Sequence, residues 1–143
     1  MNDSENALDW ISYAYEDFRS ASFLFKELYP RPLEIICYHC QQAVEKALKA
    51  FLIAKGKSIQ KTHDLTFLSQ QCEEINPSFA NYLDICEVLT PLVVRARYPS
   101  KTEISEAEAE NALKGAAEIY DFVLAQCQEH TEEEPAECAE NAE

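Results

Sequence analysis

The segment from His39 to Gly56, HCQQAVEKALKAFLIAKG, decides the fold of this chain. When the residues are placed at 100° steps, the apolar ones form one broad arc, as expected of a helix that packs into a core. The arc comprises Leu33, Ile36, Cys37, Cys40, Val44, Ala47, Leu48, Phe51 and Ala54. Pro32 suits a first helical turn and Gly56 suits a C-terminal cap, so the sequence predicts a long helix ending near Lys55.

The polar residues of this helix allow two interpretations. Gln42, Glu45 and Lys49 lie opposite the apolar arc, and His39 and Lys46 lie at its border beside small alanines. The spacing from Glu45 to Lys49 is that of a surface ion pair, which favours a solvated face. The alternative is a binding surface, because spacings of three and four bring His39, Gln42, Lys46 and Lys49 together. The residues alone favour the solvated face.

Four more helices are predicted from three-four apolar spacing and from start and stop signals. THDL (62–65) begins the third helix, with Thr62 or Asp64 as the N-cap, and SEAE (105–108) is a capping box for the fifth. The predicted ranges are 5–28, 62–75, 78–96 and 105–128. We therefore expect an all-α fold, an antiparallel bundle of four to five helices over residues 5–128, followed by an acidic disordered tail at 129–143.

Composition limits the function. The formal net charge is -14, which opposes non-specific binding to nucleic acid or to an anionic membrane. No secretory signal and no apolar run long enough to span a membrane is present, so we expect a cytoplasmic protein. The six cysteines fall mostly in apolar stretches, and we expect buried thiols. Zinc or redox chemistry at the Cys37-x-x-Cys40 pair is less favoured, because no second ligand pair follows and the pair lies inside a helix.

A second cluster of candidate site residues is RARYP (95–99). Arg95 and Arg97 lie at a predicted helix end, where one cation is favourable beside the terminal carbonyls. Two arginines and Tyr98 also suit an anion or nucleotide site, because guanidinium groups bind phosphate and a tyrosine ring can stack on a base. Known metal, phosphate-loop and catalytic-triad patterns do not match. His63-Asp64 is best explained as a cap and a helix-start histidine, so no metal, cofactor or catalytic residue is predicted.

Three segments together resemble the HEPN domain family: YHCQQAVEKALKAFLIAKG (38–56), KTHDLTFL (61–68) and VVRARYPS (93–100). The resemblance covers residues 8–127 and implies a bundle of about five helices, of a family whose members often form homodimers. Many small prokaryotic members of that family look like partners of a minimal nucleotidyltransferase encoded beside them, often as toxin–antitoxin pairs. Other members are ribonucleases with an Arg-x(4–6)-His motif. Here seven residues separate Arg31 from His39, so that motif is absent.

The resemblance thus predicts a non-catalytic module that binds a nucleotide or a nucleotidyltransferase partner. The expected site residues are His39, Gln42, Lys46, Lys49, Arg95, Arg97 and Tyr98. Two alternatives remain at this point. The same residues could pair across a homodimer with no small ligand, or His39 could serve a divergent ribonuclease with an arginine from another helix.

Overall fold

A computed structural model of the protein describes residues 6–97 and 103–132, without the side chains of Val93, Ala96, Arg97 and residues 129–132. Within these residues the chain forms five α-helices, one 3₁₀ helix and no strand. The elements are α1 (Ala7–Glu27), α2 (Leu33–Ala54), α3 (Leu65–Ile75), the 3₁₀ helix (Pro77–Tyr82), α4 (Leu83–Arg97) and α5 (Glu106–Glu132). The predicted all-α bundle is confirmed.

Local capping chemistry places most helix ends where the sequence predicts them. Asp64 is the N-cap of α3, and its carboxylate accepts from the amides of Thr66 and Phe67. Gly56 follows α2 with φ of +79°, a left-handed conformation that a glycine adopts without strain. The capping box before α5 also forms: Ser105 Oγ accepts from the Glu108 amide at 3.1 Å, and Glu108 Oε1 accepts from the Ser105 amide at 2.9 Å.

Two helix ends differ most from the sequence prediction, and the others lie within three residues of it. The segment expected as one helix over 78–96 begins instead as a 3₁₀ helix at Pro77, because Asn76 caps Ser78 and its carbonyl accepts from Phe79 three residues on. Helix α5 continues to Glu132, four residues beyond the predicted end. The rest of the predicted tail, residues 133–143, lies outside the described residues.

Helix α2 forms the centre of the core and packs against α1, α3, α4 and α5. Its predicted apolar arc is buried, with the end residues Leu33 and Ala54 partly exposed. The loop of residues 55–64 returns along α2, so His63 lies near Gln41 on the middle of that helix. This return brings the start of α3 against the polar side of α2, where the candidate site lies.

The described cysteines are buried, as predicted; they are Cys37, Cys40, Cys72, Cys86 and Cys127. Burial raises the pKa of each of these thiols, and it raises those of Cys37 and Cys86 to about 11. In the described part of the chain, no group of three His, Cys, Asp or Glu residues is arranged to hold a metal ion. Across the same ranges, no helix has the length and apolarity needed to cross a membrane.

Candidate functional site

His39 and Lys46, which the sequence places two turns apart on α2, both contact Asp17 on α1. His39 Nδ1 lies 2.8 Å from Asp17 Oδ1, and Lys46 Nζ donates to Asp17 Oδ2 at 2.7 Å. The carboxylate is mostly buried, and the two α2 side chains are about one-quarter exposed. We call Asp17, His39 and Lys46 the Asp17 cluster. It joins α1 to α2 through the Lys46–Asp17 ion pair and the His39–Asp17 hydrogen bond, at the border of the core.

Lys49 does not lie on a solvated face, so the favoured interpretation of Glu45 and Lys49 is wrong. Lys49 Nζ donates to Glu45 Oε2 at 2.8 Å, and their side chains are 8% and 5% exposed. The ammonium group also lies 5.8 Å from the Trp10 ring centre, a distance typical of a cation–π contact. The pair is buried because α1 covers this part of α2 and the returning loop covers Glu45.

Glu45 also contacts His63 and Gln41, two residues whose contact with it the sequence does not predict. His63 Nδ1 lies 3.0 Å from Glu45 Oε1, and Gln41 Nε2 donates to the same oxygen at 3.3 Å. Gln41 Nε2 also donates to the His63 carbonyl at 3.2 Å, which fixes the loop on the helix. The His63 side chain is 76% exposed although its partner is buried. His63 is therefore the solvent-facing end of a buried polar network.

Gln42 lies in an open groove between α2, α4 and the chain just before α3. The groove has a volume of about 490 Å³ and is lined by Tyr38, Gln41, Gln42, His63, Asp64, Thr90 and Val94. Gln42 Nε2 donates to Gln41 Oε1 at 3.1 Å, so the two amides form a chain along the groove floor. Tyr38 and Val94 are exposed apolar groups at its edge. We call this the α2–α3–α4 groove.

Arg95 is held by α5 rather than by the α2–α3–α4 groove. Its guanidinium donates to Glu108 Oε2 at 2.7 Å and to the Glu103 carbonyl at 2.8 Å. The bond between Arg95 and Glu108 lowers the pKa of Glu108 and raises that of Arg95. Arg97 is the last residue of α4, its side chain is not described, and Tyr98 lies outside the described residues.

The structure thus separates the predicted site into parts. His39 and Lys46 meet at Asp17, Gln42 lies in the groove, Lys49 is buried, and Arg95 pairs with α5. The α4 end does approach Gln42, because Val94 lines the same groove. Sequence reasoning missed Asp17, which is one of four carboxylates on α1 and carries no local signal that distinguishes it from the others.

The HEPN domain model matches residues 7–134, nearly the whole chain. The protein belongs to the HEPN family. Its membership agrees with the helical bundle and with the three sequence segments that carry the resemblance. A comparison with curated proteins finds no significant match.

Two solved structures are similar to this HEPN protein. An archaeal HEPN homologue, ST0689, shares 26% identity with a TM-score of 0.66, and the match covers 85% of this chain and 98% of that one. The protein TT1696 from Thermus thermophilus shares 28% identity with a TM-score of 0.70, and the match covers 83% of this chain and 96% of that one. Both matches span nearly all of the other protein, so the whole HEPN bundle is shared.

Proposed function

We propose that this HEPN protein is a non-catalytic binding module whose α2–α3–α4 groove receives a protein partner, a minimal nucleotidyltransferase. One observation carries the proposal: the groove combines hydrogen-bonding amides with the exposed apolar edge formed by Tyr38 and Val94. A surface of this kind suits a protein partner, since aromatic groups and satisfied polar groups dominate protein interfaces.

The charges favour a protein partner over a phosphate group. Lys46, Lys49 and Arg95 are the described cations of the predicted site, and each is paired with a carboxylate. A phosphate would have to displace Asp17, Glu45 or Glu108 and then approach a chain of net charge -14. A partner with exposed basic residues gains from the same field, which accelerates its association at low salt.

Val94 and Val88 provide a matched test of the groove. Both valines are on α4 and exposed to a similar extent, 56% and 58%, but only Val94 lines the α2–α3–α4 groove. Each minimal nucleotidyltransferase of the source genome would be co-expressed with the tagged protein, and complex formation measured by light scattering and calorimetry. We expect Val94→Asp to weaken the complex about tenfold or more, and Val88→Asp to leave it unchanged.

Either of two results would overturn the proposal. One is that no nucleotidyltransferase co-purifies with the protein. The other is that Val88→Asp weakens the complex as strongly as Val94→Asp. Circular dichroism of both variants separates a lost interface from lost folding, because each should keep the helical spectrum of the parent protein.

A nucleotide ligand is the second candidate, favoured by the paired amides of Gln41 and Gln42 in a groove of about 490 Å³. Pockets of this volume accept small molecules, and amides can bind the edge of a base. Thermal unfolding with a panel of nucleotides tests it. A bound nucleotide at about 100 times its Kd adds about 2.7 kcal/mol to the free energy of unfolding. That shift should disappear in Gln42→Ala if the groove is the site.

Two further alternatives have direct tests. A homodimer through the groove would become a monomer by light scattering in Val94→Asp, without any added partner. A ribonuclease would cleave RNA and lose that activity in His39→Ala. Among the described residues, no hydrogen bond or ion pair joins His39 to Arg95, and His39 is bound to Asp17.

A further inference from the structure

A second cavity lies under the loop that follows α2, away from the α2–α3–α4 groove. It has a volume of about 400 Å³ and forms between the loop and the second half of α3. Its polar lining comes from Lys57, Ser58, Gln60, Gln71 and Glu74. Leu52 and Ile75 add an apolar surface. We call it the loop cavity, and it shares no lining residue with the groove.

Gln71 has a side-chain acceptor to which no described residue donates a hydrogen bond. Its side-chain oxygen, Oε1, is buried and has no hydrogen-bond partner among the described residues. A buried polar atom left unpaired is unfavourable, so native proteins rarely keep one without a bound water or ligand. The atom belongs to a residue that lines the loop cavity.

The cavity also carries one charge of each sign. Lys57 and Glu74 both line it, and no ion pair is found for either within residues 6–97 and 103–132. This contrasts with the predicted site, where Lys46 and Lys49 are each paired with a carboxylate. An unpaired cation and an unpaired anion that line one cavity favour a ligand that itself bears both charges.

We propose that the loop cavity binds a small zwitterion of the amino-acid class. The ligand carboxylate would pair with Lys57, its ammonium group with Glu74, and one N–H with Gln71 Oε1. The apolar surface at Leu52 and Ile75 suits an aliphatic side chain. A zwitterion has no net charge, so the -14 chain does not repel it, whereas a polyphosphate would be repelled. The volume is within the range of small-molecule sites.

Two-dimensional amide NMR of the full chain, titrated with each standard L-amino acid, tests the proposal. We expect at least one amino acid to shift the amide signals of residues 57–60 and 71–75 in a saturable manner. The corresponding amino-acid amide lacks the carboxylate and the N-acetyl derivative lacks the ammonium group. Each should bind about tenfold more weakly or worse, as expected when a charge-assisted hydrogen bond is lost.

Variants assign the binding to the cavity. Lys57→Met and Gln71→Met should each weaken binding about tenfold. Lys61→Met is the matched control, since Lys61 is an exposed lysine of the same loop that does not line the cavity. The proposal is overturned if no amino acid shifts these signals, which would leave a bound water as the partner of Gln71. It is also overturned if ATP shifts them instead, or if Lys61→Met weakens binding as much as Lys57→Met.

Discussion

Glu45 Oε2 lies 2.8 Å from Lys49 Nζ, and this ion pair is buried inside the bundle although its spacing is that of a surface pair. His63 and Gln41 supply further contacts to the carboxylate. Trp10 lies beside the ammonium group. A buried charge is tolerated when it is paired and hydrogen-bonded, so these neighbours are what allow the pair to remain in the core.

Removing one partner of this pair should strongly destabilise the protein. Lys49→Met leaves the Glu45 carboxylate buried without its cation, and we expect a loss of about 3–5 kcal/mol in the free energy of unfolding. The double variant Glu45→Leu/Lys49→Met removes both charges and should recover much of that loss. Urea unfolding followed by circular dichroism measures both values.

The exposed pair Glu16–Arg19 is the control for this experiment. Its side chains are 59% and 63% exposed, and Arg19→Ala should change the free energy of unfolding by less than about 1 kcal/mol. If Lys49→Met lowered the free energy of unfolding as little as Arg19→Ala, the Glu45–Lys49 pair would not be buried as described.

Gly115 permits close packing of α5 against α4. A Cβ atom at this position would lie 2.7 Å from Ile85 Cγ2, nearer than real contacts allow. An alanine usually stabilises a helix interior by about 1 kcal/mol relative to glycine, but overpacking costs about 1–3 kcal/mol. We therefore expect Gly115→Ala to lower the melting temperature. The fall in melting temperature should be smaller when Gly115→Ala is combined with Ile85→Ala. An equal fall with and without Ile85→Ala would argue against the contact between these two positions.

The five described cysteines should resist alkylation in the folded protein. Burial raises the pKa of the Cys37 and Cys86 thiols to about 11 and also shields them from reagents. Iodoacetamide reacts with the thiolate, so the cysteines should be labelled only after the protein unfolds. Mass spectrometry of native and urea-treated samples compares the rates. Equal rates at Cys37 in the two samples would exclude the buried arrangement.

Local chemistry explains why much of the fold could be predicted from the sequence. The caps at Asp64 and at Ser105–Glu108 depend on residues two or three positions apart, and both form. The apolar arc of α2 depends only on helical periodicity, and it is buried as predicted. These features depend only on residues that lie close together in the sequence.

The candidate site depends on contacts that no local signal contains. Asp17 lies 22 residues from His39 and 29 from Lys46 along the chain, yet it contacts both. The burial of Glu45 depends on a loop that returns over it 18 residues later, where His63 makes its contact. A helical wheel places such residues on a face but does not tell what covers that face. The solvated-face interpretation therefore failed for Lys49.

Glu108 should make stability depend on pH at the acid end. Its hydrogen bond to Arg95, together with the Ser105 amide, lowers the Glu108 pKa below its ordinary value of 4.5. Because the unfolded chain then binds a proton more readily than the folded one, folding gains stability above the unfolded pKa. That gain is lost as the pH falls through the folded pKa.

The variant Glu108→Gln should therefore differ most from the parent protein at neutral pH and converge with it in acid. Urea unfolding at a series of pH values from about 7 to about 3 measures the difference. Glu110→Gln is the control, since Glu110 is an exposed carboxylate of the same helix, close to Glu108 in the chain, with no ion pair among the described residues. Parallel pH profiles for Glu108→Gln and the parent would show that the Arg95 contact contributes no pH dependence.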